Sequence, residues 1–219
     1  MSVGMVLLTV VSILVFFGIA QRVLDKLQLT DRAALTLIAL MFFGTMIPNL
    51  EIGPVSLSIG GALIPFGICV YLMYRADTFK EQLRAVLGSL VTGGIVYIIS
   101  SLMPDEPERF VIDPMYVYGL TGGIVAYLFG RSRRNAFICG VLGVMFADIA
   151  VAIQNWSGGI SQKLVLGGGG IFDALIISGI IGVLLAELVG EVLERMTRGN
   201  RKSTSKTVLH PFHQKERTK

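Results

Sequence analysis

Charge is scarce in this chain. Asp, Glu, Lys and Arg make up 16% of its 219 residues, against about 25% in an ordinary soluble domain. Cysteine occurs twice, at Cys69 and Cys139, and histidine twice, at His210 and His213. Two cysteines with no histidine near them make no zinc site. Both fall inside apolar runs, so they read as small packing residues without a disulfide. The "HPFH" pair sits in a polar C-terminal stretch with no fold around it, which argues against a metal there. No Walker motif, dinucleotide fingerprint, Ser-His dyad or haem ligand pair is present, so no cofactor and no metal are expected.

The sequence is instead 53% hydrophobic, and the apolar residues fall into blocks near the length that crosses a hydrocarbon core, about 20 residues. Seven blocks can be drawn: Val3–Ala20, Ala33–Pro48, Leu57–Tyr74, Ala85–Met103, Met115–Gly130, Ala136–Ile153 and Val165–Gly190. The first lacks the basic start of a signal peptide, since MSVGMVLL holds no Lys or Arg, and it reads as a retained helix. Basic residues crowd into alternate connections: Arg22, Lys26 and Arg32, then Arg75, Lys80 and Arg84, then Arg131, Arg133 and Arg134, then the C-terminal stretch. The other connections hold only Arg109 and Lys163. Because cytoplasmic loops carry the Lys/Arg excess, the expectation is an all-α polytopic membrane protein of seven transmembrane helices, with the N-terminus outside and the C-terminus cytoplasmic. The net charge of +4 reports this topology and gives no reason to expect nucleic acid as a partner.

One membrane domain, residues 1–194, and one tail, residues 195–219, account for the chain. The tail is polar and basic and has few core formers, so it is expected to be disordered and to attract anionic lipid head groups. Glycine, at 26 residues, is the second organising signal. Gly119, Gly123, Ala126 and Gly130 form one small-residue stripe and Gly182, Ala186 and Gly190 another, both suited to close helix packing in lipid. A weak internal echo links "SIGGALIPFG" (58–67) to "LGGGGIFDAL" (166–175), and "VTGGIVY" (91–97) to "LTGGIVAY" (120–127). The acidic, proline-stiffened "PDEPERFVIDP" (104–114) forms an outer loop.

Two acids lie well inside the apolar blocks, Asp148 in "GVMFADIAVAIQN" and Asp173 in "GGGGIFDALIISG". An aspartate in mid-membrane costs about 2.5–3.5 kcal/mol on insertion scales, which calls for a function or a partner. Counting from the block ends puts both at similar depth on consecutive antiparallel helices. Two close carboxylates in a low dielectric share a proton. Such a dyad suits an aspartic hydrolase and equally suits a proton or cation carrier. Gly167, Gly168, Gly169 and Gly170 disfavour a continuous helix, so that stretch is expected to be irregular backbone lining a cavity. Its free N–H groups are suited to a substrate strand or an ion. The plainer alternative is that Asp173 merely caps a broken helix and Asp148 bonds a neighbouring hydroxyl.

The segments "IGGALIP", "IDPMYVYG", "AYLFGRSRRNAF", "LGVMFADI" and "GGGGIFDALIISGIIGVLLAE" resemble a family of prokaryotic multi-pass membrane proteins of unknown function, over nearly the whole chain before the tail. The resemblance implies a membrane protein and no activity. At motif level the aspartates also resemble the intramembrane aspartyl proteases of the presenilin and signal-peptide-peptidase type, in which two successive helices each carry a catalytic Asp. Asp148 and Asp173 are the matching residues. The departures are Ala147 in place of a Tyr, Ile171 and Phe172 between the glycines and Asp173, "ALIP" in place of Pro-Ala-Leu, and seven helices in place of nine. Three readings stay open: an intramembrane aspartyl protease acting on a membrane-protein substrate, a proton- or cation-coupled transporter, and a non-enzymatic membrane assembly factor.

Overall fold

A computed structural model describes residues 18–19, 21–23, 31–76, 78–102, 114–130 and 132–207. The first apolar block, the acidic loop from Asp105 to Asp113 and the two histidines lie outside these residues, apart from the end of the first block. Among the described residues six helices dominate: α1 Asp31–Gly44, α2 Ile64–Tyr74, α3 Phe79–Leu102, α4 Pro114–Gly130, α5 Arg133–Ser157 and α6 Ala174–Thr207. Each corresponds to one of the second to seventh apolar blocks. Three segments, Phe79–Leu102, Arg133–Ser157 and Ala174–Val192, are long and apolar enough to cross a membrane. Large apolar side chains stand exposed along the helices, among them Phe43, Val70, Leu87, Leu90, Ile98, Leu120 and Leu128. In water such rows form sticky patches; against lipid they are an ordinary outer surface.

Helix ends follow local chemistry. α1 stops at Gly44 ahead of Pro48, with the Thr45 N–H closing onto Met41 O at 3.1 Å. α5 opens on Ser132, whose hydroxyl accepts the Asn135 N–H at 3.2 Å, the usual way to satisfy a free donor of the first turn. It closes at Gly158, and Gly159 follows at φ 79°.

α5 is the central element, buried without a break from Asn135 to Val144. Its glycines bring backbones together on two sides. A Cβ on Gly140 would lie 2.7 Å from Gly179 N of α6, and one on Gly143 would lie 2.6 Å from Thr92 Cβ of α3. On α4, Gly119, Gly122 and Gly123 sit beneath Ile177, Ser178 and Ile181 of α6. The small-residue stripe read in this helix is therefore a contact surface. Cys69 and Cys139 are both buried and free.

At one end of the helices lies a three-stranded sheet that the apolar pattern does not announce. β1 (Leu50–Ile52) pairs antiparallel with β2 (Val55–Leu57), and β2 pairs in parallel with β3 (Leu164–Leu166). β2 leads through Ser58 into a π-helical turn, Ile59–Leu63, that runs on into α2. β3 leads through glycines into a 3₁₀ turn, Gly170–Phe172, ahead of α6. Thus the block Val165–Gly190 is not helical from its start: the helix begins at Ala174. Gly167 and Gly170 take φ values of 72° and 62°, left-handed backbone that glycine adopts without the usual Cβ cost.

The chain forms two compact units, Met1–Ala186 and Glu187–Lys219. In the second, α6 continues as far as Thr207. The stretch expected to be disordered from Arg195 is therefore helical over its first part. Residues 208–219 lie outside the described ones.

Candidate functional site at the sheet end

Asp173 occupies the N-cap of α6, with extended backbone (φ −63°, ψ 150°). Its Oδ1 accepts the Leu175 N–H at 3.0 Å and its Oδ2 accepts the Gly169 N–H at 2.9 Å. Its own carbonyl accepts the Ile177 N–H at 3.0 Å. The carboxylate thereby clamps both sides of the break, with the glycine tract on one oxygen and the new helix on the other. At 9% exposure it is close to fully enclosed.

Asp148 differs. It lies on α5 nine residues before Ser157, about 14 Å along the axis, and lines an open cleft of about 850 Å³. Among the described residues no hydrogen bond to its carboxylate is found. It lies within electrostatic reach of Asp173. Asp173 itself does not line the cleft, and neither do Gly167, Gly168, Gly169 and Gly170. Gly167 packs against Gly61 and Ala62, and Gly170 against Thr45. The glycine tract lies behind the cleft as a mount for Asp173.

The cleft wall comes from parts of the chain that carry no motif. α3 supplies Ser100 and Ser101, α4 supplies Tyr118, α5 supplies Gln154 and Asn155, and β3 supplies Leu164 and Val165. Two hydrogen bonds pin the connection between α5 and β3: Trp156 Nε1–H donates to Gln162 O at 2.8 Å, and Asn155 Nδ2–H donates to Gln162 Oε1 at 3.0 Å. Tyr97 OH donates to Gln154 Oε1 at 2.9 Å, tying α3 to α5 at the rim. Lys163 pairs with Glu51 at 3.3 Å, but both are well exposed, and such surface pairs contribute little.

β3 is an edge strand. The Leu164 N–H donates to Pro54 O at 2.9 Å, and Leu166 O accepts the Ser58 N–H at 3.0 Å. Alternation along a parallel ladder then turns the N–H and C=O of Val165 away from β2, on a residue that lines the cleft and is 47% exposed. No residue pattern marks this edge, because its strands are three residues long. Among the described residues no three His, Cys, Asp or Glu side chains gather in a way that holds a metal ion.

No curated protein and no solved structure matches the chain. A family model does, described as "Protein of unknown function (DUF1614)", over residues 9–185. That span takes in all of α1 to α5, the sheet, the glycine tract and both aspartates, and the chain belongs to this family.

Proposed function

We propose that this is a seven-helix protein of the prokaryotic cell membrane whose Asp148 and Asp173 act together as an intramembrane aspartyl protease on membrane-protein segments. The observation that carries the reading is that one cleft holds Asp148 and the Val165 strand edge, neither with a hydrogen-bond partner among the described residues on the side that faces it. An extended peptide added to that edge gains main-chain hydrogen bonds and lies beside a carboxylate. In the reaction, the two acids share one proton. The ionised carboxylate takes a proton from water as the water oxygen bonds to the scissile carbonyl carbon, and the protonated one donates toward the carbonyl oxygen. Collapse of the adduct breaks the C–N bond, and the amine leaves with a proton. Both carboxylates have to reach one water, so the Gly167–Gly170 tract must let Asp173 turn toward the cleft. Left-handed glycines make that tract the deformable part of the site.

A second reading, a proton- or cation-coupled carrier, draws on a different observation: the glycine breaks ahead of two helices, at Ile59–Leu63 and at residues 167–172, pack against each other, and the second ends on Asp173. Discontinuous helices of this kind form ion and substrate sites in carriers. The third reading, an assembly factor without chemistry, draws on the capping role of Asp173.

The test compares Asp148→Asn and Asp173→Asn with the parent protein in liposomes. A protease loses cleavage of a membrane-spanning reporter peptide in either variant, the double variant is no worse, and a hydroxyl-containing transition-state mimic binds only when both acids are present. A carrier ignores the mimic and shows proton- or cation-dependent flux. Full function in both Asn variants would remove the protease and carrier readings together.

A further inference from the structure

The first half of the chain contains a second, acid-free version of the Asp173 mount. The order α1, β2, π-helical turn, α2, with β1 added between α1 and β2, is matched by α5, β3, 3₁₀ turn, α6. The two strands lie side by side and parallel, with Leu57 opposite Leu166. Counting on from that pair sets Gly60 and Gly61 beside Gly169 and Gly170, and Ile64 beside Asp173. α2 begins at Ile64 and α6 at Ala174. Each break is held by a polar side chain on a glycine amide: Ser58 Oγ accepts the Gly61 N–H at 3.2 Å, and Asp173 Oδ2 accepts the Gly169 N–H at 2.9 Å.

The two breaks also touch. A Cβ on Gly61 would collide with Gly167 O and lie 2.9 Å from Gly170 O, and one on Gly167 would collide with Gly61 C and Ala62 N. Gly61 therefore sets how closely the tract that clamps Asp173 can lie. At the position of Asp173 the first version has Ile64, and α1 carries an acid only at its first residue, Asp31.

We infer that residues 31–74 and 133–186 are two copies of one helix–strand–glycine break–helix unit, and that the first copy, which carries Ile64 at the place of Asp173, positions Asp173 of the second through Gly61. Gly61 is a positioning residue. Its importance to chemistry rests on the aspartates being the site, whereas the duplication and the positioning contact do not.

Amide hydrogen exchange at Gly169 and Leu175, the two donors to Asp173, reads the contact directly. The full-length protein in lipid nanodiscs is compared with Gly61→Ala, Ser58→Ala and Gly67→Ala. Gly67 has open space where a Cβ would go, so it controls for a general glycine effect. Gly61→Ala should speed exchange at both amides by about tenfold or more, Ser58→Ala should shift them the same way by less, and Gly67→Ala should leave them unchanged. Unchanged exchange in Gly61→Ala, or equal acceleration in Gly67→Ala, overturns the inference. If Gly61→Ala fails to accumulate, Ser58→Ala decides, and unchanged exchange at Gly169 overturns it. Accelerated exchange together with full function in the Asn variants keeps the positioning contact and removes the site.

Discussion

Asp173 and Gly169 close a hydrogen bond of 2.9 Å across the break that precedes α6, so one carboxylate serves both as the cap of a helix and as the anchor of a glycine tract. Asp173→Ala should therefore cost about 1–2 kcal/mol of stability, the range for losing an N-cap side chain. Asp148→Asn should cost less than about 0.5 kcal/mol, as substitutions outside packing and bonding networks do. Thermal unfolding in one detergent ranks the two variants, and a larger loss for Asp148→Asn would contradict the geometry.

Val165 offers a nearly silent way to test the strand edge. Its N–H takes no part in the ladder to β2, so Val165→Pro should leave the melting temperature within a few degrees of the parent. Leu164→Pro removes the bond to Pro54 O and should destabilise. Binding of a lysine-flanked oligovaline peptide, followed by fluorescence anisotropy, should weaken about tenfold in Val165→Pro, the effect of losing one hydrogen bond of about 1.4 kcal/mol. Equal affinity for parent and variant would mean that the edge does not take up a strand.

Two glycines on neighbouring helices should respond in opposite directions. Gly140→Ala places a methyl 2.7 Å from the α6 backbone and should cost about 1–3 kcal/mol, as overpacking does. Gly94→Ala meets nothing within 4 Å and should gain up to about 1 kcal/mol from helix propensity. Denaturant titration in mixed micelles gives both signs.

Thr92 is fully buried on α3, and its hydroxyl has no hydrogen-bond partner among the described residues. Thr92→Val keeps the shape and removes the stranded polar group. It should stabilise the protein by about 1 kcal/mol, read as a rise in melting temperature; a fall would show that the hydroxyl has a partner in the working protein.

The proposed topology rests on charge. A reporter fused after Arg134 or at Lys219 should signal the cytoplasm, and one inserted at Glu106 should signal the outside. A cytoplasmic signal at Glu106 would break the seven-helix arrangement.

Helices were legible in the sequence because the second to seventh apolar blocks are long enough to register as such, and α4 and α5 fall within four residues of the blocks drawn for them, whereas α3 starts six residues early, at Phe79. The sheet was not legible. Its strands, LEI, VSL and LVL, are three residues each and sit beside glycine or proline, so neither alternation nor length marks them. The start of α6 was misplaced because Val165 and Leu166 are apolar enough to extend a hydropathy block although they form a strand. Asp173 was legible as an exception, yet its clamp on Gly169 depends on left-handed glycines whose conformation no composition reveals. The cleft was out of reach for a different reason: Ser100, Tyr118, Gln154 and Val165 come from four separate elements, and only their packing brings them together.

The segment from Ile59 to Tyr74 joins five residues of π-helical turn to eleven of α-helix, roughly 24 Å at 1.5 Å per residue. The hydrocarbon layer of an ordinary bilayer is about 30 Å thick. Under the proposed seven-helix arrangement, lipids beside this segment thin by several ångströms, at a cost of fractions of a kcal/mol per ångström, and acyl-chain length becomes a variable of the protein's own stability.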